Sequence, residues 1–395
     1  MNKNFHYHAI KTIARETGFR EDDAELIACC SQLVDDFTDF KPFFAKNVPD
    51  YAKHLTIPVT FGSYVVDLFI PVSTGFSLLT TPSEKVQKLS IIPFHFIPEK
   101  HKLNEHVDSR AEWRTVPARM DRQSLIQTKM LEILSNSNME YQDKLVSLGL
   151  LLHTFADTYA HQMFSGYHGW ENYCQLSGVY NVLDSNSNHD LSNSVINYIG
   201  QRLLAVGHAN VAHVPDDTEQ RFTFRLKTSE NSDYDIFYGR SNPIEFTKCA
   251  REINGIMEKF LLINGRKDDI KYFTKSRWES FTVNLCRAML QQSEDLLNQH
   301  WHSIFGYDYH YSRDNVFGVS QQHDDLTENP DFSCKYAKLK ELIPNTPLAI
   351  GYKMNNNYYR FNVQAYDLRS FVNGGNVVDE EREKMVEIIN NIQKI

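Results

Sequence analysis

The sequence predicts a mainly α-helical protein with a few short strands and one β-hairpin. Three observations predict this class. Apolar residues recur at spacings of three and four along most of the chain, the period of a helix face. Runs of β-branched and aromatic residues broken by Pro and Gly are confined to about 60–97. One pair of alternating segments, Phe222/Phe224/Leu226 and Tyr234/Ile236/Tyr238, is joined by the polar stretch Ser229 to Ser232 and reads as a hairpin.

In chain order, residues 5–17 and 22–35 read as two helices separated by Thr17-Gly18-Phe19-Arg20. Ile10, Ile13 and Ala14 mark the inner face of the first, and Ala24, Ile27, Ala28 and Leu33 that of the second, with Asp22 or Asp23 as a cap. His6 and His8 stand at the start of the first helix. Asp35 and Asp36 end the second, where carboxylates oppose the helix dipole and a cation would be welcome. Thr60 to Val72, Gly75 to Thr80 and Leu89 to Ile97 read as short strands between long loops. Within the last, Ile92-Pro93-Phe94-His95-Phe96-Ile97-Pro98 holds a histidine between two phenylalanines and two prolines, as a ligand or a packed core residue would be held. Residues 122–135 form the next helix.

The central helix begins near Tyr141 and runs through LGLLLHTFADTYAHQMFSG, with Ser165-Gly166 as its end. His153, Asp157 and His161 are set into this apolar helix. Residues four apart lie about 40° apart around a helix, so the three form one stripe. Two imidazoles and a carboxylate on a buried stripe are costly unless something satisfies them, and a divalent metal does so. Tyr167 to Asp190 reads as a Gly-, Ser- and Asn-rich connection rimming a cleft. Residues 192–213 read as a helix leading into GHANVAHVPD. His208 is favoured there over His213, which lies about 140° further round. Ser241-Asn242-Pro243 starts a helix to about Leu262, with Pro in its first turn. Another helix spans about Lys275 to His302, and Glu380 to Ile395 a final amphipathic one. No internal repeat or domain boundary stands out. The chain reads as a single domain over 1–395, with a metal core at 5–216 and a C-terminal extension at 243–395.

Composition excludes several classes. At 395 residues with 42% hydrophobic and 23% charged content, the chain is an ordinary globular protein. A net charge of −9 argues against a general nucleic-acid-binding surface. No apolar run of about 18 residues predicts a transmembrane segment. The N-terminus has no signal-peptide core. The 6 cysteines form no CxxC pair, which suits a reduced compartment. The expectation is a cytoplasmic protein, with export by a non-classical route left open.

His6 or His8, Asp35 or Asp36, His95, His153, Asp157, His161 and His208 exceed one tetrahedral shell and suit two or three ions sharing a bridging carboxylate. This set resembles the zinc-dependent phospholipase C and S1/P1 nuclease superfamily. Within it, the chain is similar to an uncharacterised bacterial family, the DUF6765 proteins. The matching pieces are FHYHAIKTIA, AELIACCSQLVDD, IPFHFIP, LGLLLHTFADTYAHQMFSG and GHANVAHVPD, over roughly residues 5–216. The resemblance implies a multi-helix phospholipase C/P1 nuclease-like bundle and two or three zinc ions. It implies that His153 and Asp157 form an HxxxD motif, that Asp157 bridges two metals, and that Asp35 or Asp36 and His95 join them. His6 or His8 would be the N-terminal histidine, and His161 and His208 would hold the remaining ion. Three features depart from the superfamily, whose enzymes are usually secreted: the sequence reads without a signal sequence, there is no N-terminal Trp, and Ala212 stands where a late His-x-x-x-Glu motif has its Glu.

The implied activity is metal-dependent hydrolysis of a phosphodiester, with Asp35 or Asp36 orienting or deprotonating the water. The substrate would be a small molecule, a lipid head group or a nucleotide, selected by the loops at 60–110 and 167–190. One rival is a non-catalytic, metal-stabilised helical interaction module. Another is an HD-type phosphohydrolase using His189-Asp190 or His323-Asp324, two dyads set in polar loops.

Overall fold

A computed structural model describes residues 1–38, 42–45, 47–61, 64–77, 80–181, 184–188, 205–211, 213–291, 293–317, 321–322, 350–351 and 356–375, with single positions beyond. The fold is mainly α. The chain divides into two compact units, Met1–Asp36 with Thr74–Tyr311, and Phe37–Ser73 with Ser312–Ile395.

In the first unit, a π-helical turn Asn4–Ala9 runs into α1 (Ile10–Thr17), and Gly18 at φ +124° ends it, a conformation that only glycine adopts cheaply. α2 (Glu21–Asp36) follows, with Asp22 and Asp23 inside its first turn rather than at the cap. The next local elements are α3 (Glu84–Val86), a π-helical turn Gln87–Ile91, and α4 (Ile92–Phe94). The β-rich appearance of Leu89–Ile97 was therefore misleading. Pro93 sits in the first turn of α4, where its missing N–H costs nothing, and the aliphatic and aromatic residues are there to fill the core. Residues 75–77 also form no strand.

α5 (Leu125–Ser135), capped by Ser124, precedes the central α6 (Tyr141–Ala160). From Lys144 to Ala160 every residue of α6 is buried, the mark of a helix at the centre of a large core. It ends at His161, before the expected Ser165-Gly166 stop, yet the His161 N–H still donates to Asp157 O at 2.8 Å. α2 crosses α6 at Gly149: a Cβ there would lie 2.4 Å from Ile27 O and 2.7 Å from Cys30 Cβ. From that contact both helices run in the same sense, which brings Asp35 to within 3.7 Å of His153. Gly149→Ala is accordingly expected to force α2 and α6 apart and cost about 1–3 kcal/mol, the usual range for overpacking. Calorimetric melting checks this, and an unchanged midpoint would contradict the close crossing.

The expected connection at 167–190 instead contains β4 (Cys174–Asn181) and β5 (Asp184–Asn188). With β6 (Gln220–Leu226) and β7 (Ile236–Ser241) they make a four-stranded sheet in the order β5-β4-β6-β7. The predicted hairpin is the β6–β7 pair, with Phe224 opposite Tyr238 and Leu226 opposite Ile236. β4 escaped notice because its alternation is interrupted by a register shift between Leu176 and Gly178. Residues 189–204 and 212 lie outside the described residues, and 205–211 and 213 are not α-helical: Val206 bridges to His168 and Ala209–Val211 make one 3-10 turn. α7 (Asn242–Ile263) begins with Pro243 in its first turn, as the sequence predicts. The helix expected at 275–302 is two, α8 (Lys275–Met289) and α9 (Glu294–Phe305). The second restarts at Ser293 with Glu294 and Asp295 in its first turn, where acidic residues favour a new N-terminus.

In the second unit, β1 (Phe43–Ala45), β2 (Thr56–Phe61) and β3 (Tyr64–Phe69) form an antiparallel sheet in the order β1-β3-β2. The unit also contains α10 (Arg313–Phe317), a two-residue pairing of β8 (Gln321–Gln322) with β9 (Ile350–Gly351), and α11 (Asn357–Val372). Phe37, Phe317, Tyr358 and Phe361 pack edge to face in its core. The helix expected at 380–395 falls largely outside the described residues. Among the described residues, no helix is long and apolar enough to cross a membrane. All six cysteines are free thiols.

Candidate metal centre

Asp157 is the hub of the site. It lies in the buried middle of α6 with 1% of its side chain exposed. Its two oxygens face different partners. Oδ2 lies 3.1 Å from His153 Nε2 and 3.2 Å from His95 Nδ1. Oδ1 lies 3.0 Å from His6 Nε2 and 2.5 Å from the Met1 amine. A carboxylate so placed can serve two cations at once.

The first group is Asp35 Oδ1, His95 Nδ1, His153 Nε2 and Asp157 Oδ2. Its donor–donor distances are 3.1 and 3.2 Å from Asp157 to the two imidazoles, 3.2 Å between those imidazoles, and 3.7 Å from Asp35 to each. A tetrahedral ion with donors at about 2.0–2.1 Å requires edges of about 3.3–3.4 Å. Asp157 Oδ2, His95 Nδ1 and His153 Nε2 thus already stand about one face of such a shell, with Asp35 Oδ1 3.7 Å from both imidazoles. The second group is His161, His208 and Asp216, with His161 Nε2 3.1 Å from Asp216 Oδ1 and His208 Nε2 3.2 Å from Oδ2. The third joins His6 and His153 to Asp157, with the Met1 amine between Asp157 and Asp216 Oδ1 at 3.2 Å.

Backbone contacts fix which ring nitrogen faces the centre. His95 Nε2 donates to Thr74 O at 3.0 Å, leaving Nδ1 inward. Thr74 also donates from Oγ1 to Val34 O at 2.9 Å, tying the same segment to the turn of α2 that carries Asp35. His161 Nδ1 donates to His95 O at 2.5 Å, leaving Nε2 for the Asp216 group. Supports of this kind set the tautomer and ring angle of metal-binding histidines. His6 and His153 stack at 3.8 Å. Phe96 stacks on His161 at 4.2 Å and also fills the space above Gly207, where a Cβ would lie 2.3 Å from the ring at φ +57°. Only glycine lets the chain pass Phe96 and present His208.

The electrostatics favour cations. Burial would raise the Asp157 carboxyl, but His161, the Met1 amine, His153 and His6 outweigh it and hold it well below the usual carboxylate range. Asp216 is held low in the same way, chiefly by His208 and the Met1 amine. Burial lowers the Met1 amine, but Asp157, Asp216 and Asp35 prevail and lift it to about 11. Burial and the neighbouring His153 keep His6 well below its ordinary range, as a neutral donor. Asp157 and Asp216 are thus held as carboxylates in an enclosed place with one ammonium between them, while burial raises the Asp35 carboxyl; divalent ions would offset the cost of holding such charge there.

His6, Asp35, His95, His153, Asp157, His161 and His208 thus come together, and the alternatives separate. His8 instead holds Asn298 Oδ1 at 2.8 Å and stacks on Trp301. Asp36 accepts from Tyr311 Oη at 2.5 Å. The dyads His189-Asp190 and His323-Asp324 lie outside the described residues. The Met1 amine and Asp216 went unrecognised in the sequence. Asp216 was legible only as the carboxylate of GHANVAHVPD, eight residues after His208 in a stretch whose proline and small residues do not make a regular helix. His208 and Asp216 flank a turn, and the turn makes them neighbours.

A family model matches residues 1–374, nearly the whole chain and every residue of the site. The chain belongs to DUF6765. This is a family of unknown function. Comparison with curated proteins and with solved structures found no match. For this DUF6765 member, any functional conclusion rests on the residues and their geometry.

Proposed function

We propose that this DUF6765 chain is a hydrolase of phosphodiesters that works with two or three divalent ions, zinc first among them. The observation that carries the reading is the shared Asp157 carboxylate, with His95 and His153 about Oδ2 and His6 at Oδ1. The donor set, imidazole nitrogen and carboxylate oxygen without thiolate, suits zinc. Its order along the chain resembles that of the zinc-dependent phospholipase C and S1/P1 nuclease superfamily, and the helical core supports a bundle of that kind. When bound, such ions would polarise a phosphoryl oxygen and lower the pKa of a water. Asp35 has the most exposed side chain of the first group, at 32%, and from there can orient or deprotonate that water. His208 and Asp216, at 13% and 14%, give the second group its access to solvent. Asp157, His6 and His153, almost fully enclosed, hold the constellation in place.

That same enclosure favours a second reading, a metal-stabilised interaction module without catalysis. The two separate in one experiment. Zinc-loaded protein is offered bis(4-nitrophenyl) phosphate, a glycerophospholipid and a dinucleotide, before and after chelation and with zinc restored. The hydrolase reading expects zinc-dependent turnover of at least one of them. Unfolding on chelation, with no ester cleaved by the loaded protein, would establish the module instead.

A further inference from the structure

Arg240 is a buried cation whose contacts explain why the second group is assembled. It stands near the end of β7 with 5% of its surface exposed, and among the described residues no carboxylate pairs with it. Its donors go to main-chain oxygens on both sides of that group. Nη1 donates to Tyr159 O at 3.0 Å and Ala160 O at 2.6 Å, the last residues of α6 before His161. Nη2 donates to Pro215 O at 2.6 Å, immediately before Asp216. Nε donates to Asn242 Oδ1 at 2.7 Å. Fully buried Asn242 then donates from Nδ2 to Val214 O at 2.8 Å and Asp217 O at 2.7 Å, so that the turn carrying Asp216 is held on either side.

Three physical points follow. The carbonyls at the C-terminal end of α6 lack partners within the helix and carry the negative end of its dipole, so a guanidinium is well placed there. A guanidinium has five donors in a rigid plane, enough to span two chain segments at once, which an ammonium on a flexible stem cannot do. A buried guanidinium bonded to carbonyls instead of a carboxylate leaves the negative charge of Asp216 for the metal centre. Burial lowers Arg240 to about 10, which still leaves it charged at neutral pH.

We infer that Arg240, with Asn242, is the positioning residue of the second metal site: it fixes His161 and Asp216 at the separation at which they and His208 take one divalent ion. The inference rests on the metal-centre reading above and adds to it a residue that touches no ligand atom.

Cobalt titration of the full chain tests it, read by stoichiometry and by the visible absorption of bound Co(II). Asp216→Asn supplies the signature of losing the second site. Arg240→Met is expected to bind one ion fewer than wild type and to show the spectrum of Asp216→Asn, with the absorption of the Asp35/His95/His153/Asp157 group kept. Arg240→Lys and Asn242→Ala are expected to retain the site with affinity weakened about 10- to 100-fold, the usual consequence of losing a support behind a metal ligand. A variant with a lowered melting temperature but wild-type stoichiometry, spectrum and affinity has lost only fold stability, and the inference is overturned. Should Arg240→Met fail to fold, unchanged cobalt affinity in Arg240→Lys and Asn242→Ala overturns it equally. Wild-type protein that binds no cobalt or zinc at all defeats the metal-centre reading itself, and this inference with it.

Discussion

Asp157→Asn is expected to release at least one ion, abolish the proposed hydrolysis and lower the melting temperature by about 5 °C or more. The substitution keeps the side chain's size. It removes the charge toward which His6, His95, His153 and the Met1 amine converge. Each buried donor left without its acceptor costs about 1–3 kcal/mol, and several are exposed to that loss at once. The helix-matched control is Asp143→Asn, in the first turn of α6, about 21 Å along the axis from Asp157 at 1.5 Å per residue. Asp143 contributes there to the helix dipole, so its loss is worth about 0.3–1 kcal/mol and should leave metal content untouched. Metal content decides the matter, because a buried ion-pair hub would also destabilise when neutralised. Asp157→Asn protein that melts low while holding its full metal complement would show α6 to be a packed core element and no more.

Chelation is expected to have an effect of similar size through a different route. An ion that binds only the folded state stabilises it by about 4 kcal/mol when present at a thousand times its dissociation constant. For a unit of this size that corresponds to roughly 8–16 °C in melting temperature. Protein purified without added metal should give two or more equivalents of a divalent ion by elemental analysis. It should melt lower after dialysis against a chelator and recover when zinc is returned. Ion-free protein that melts where the loaded protein does would mean that the Met1 ammonium and the histidines already balance Asp157 and Asp216 without help.

Much of the first group could be read from residue order alone. A histidine and an aspartate four apart on an apolar helix must share a stripe, whatever surrounds them, because the helical period is a local property. His95 was recognisable from its apolar, proline-bracketed setting, although its segment is helical and not a strand. Local pattern failed wherever long-range contacts choose between conformations. The β-branched and aromatic residues of 89–97 serve burial equally well in either state, and packing on the core selected the helix. Asp35 and Asp36 are chemically identical neighbours about 100° apart on α2. Which of them faces His153 depends on how closely α2 crosses α6 at Gly149.

The sequence by itself determined the helical class, the hairpin of β6 and β7, the family, and the stripe of His153, Asp157 and His161, because each of these is carried by short-range periodicity or by residue order. Only the tertiary structure decided that Asp35 and not Asp36, and His6 and not His8, meet that stripe. It alone brought in Asp216 and the Met1 amine, and it alone revealed Arg240 behind them. Those choices hang on carbonyls and carboxylates dozens to hundreds of residues apart, whose meeting is set by helix crossing and turn geometry and leaves no periodic trace in the chain.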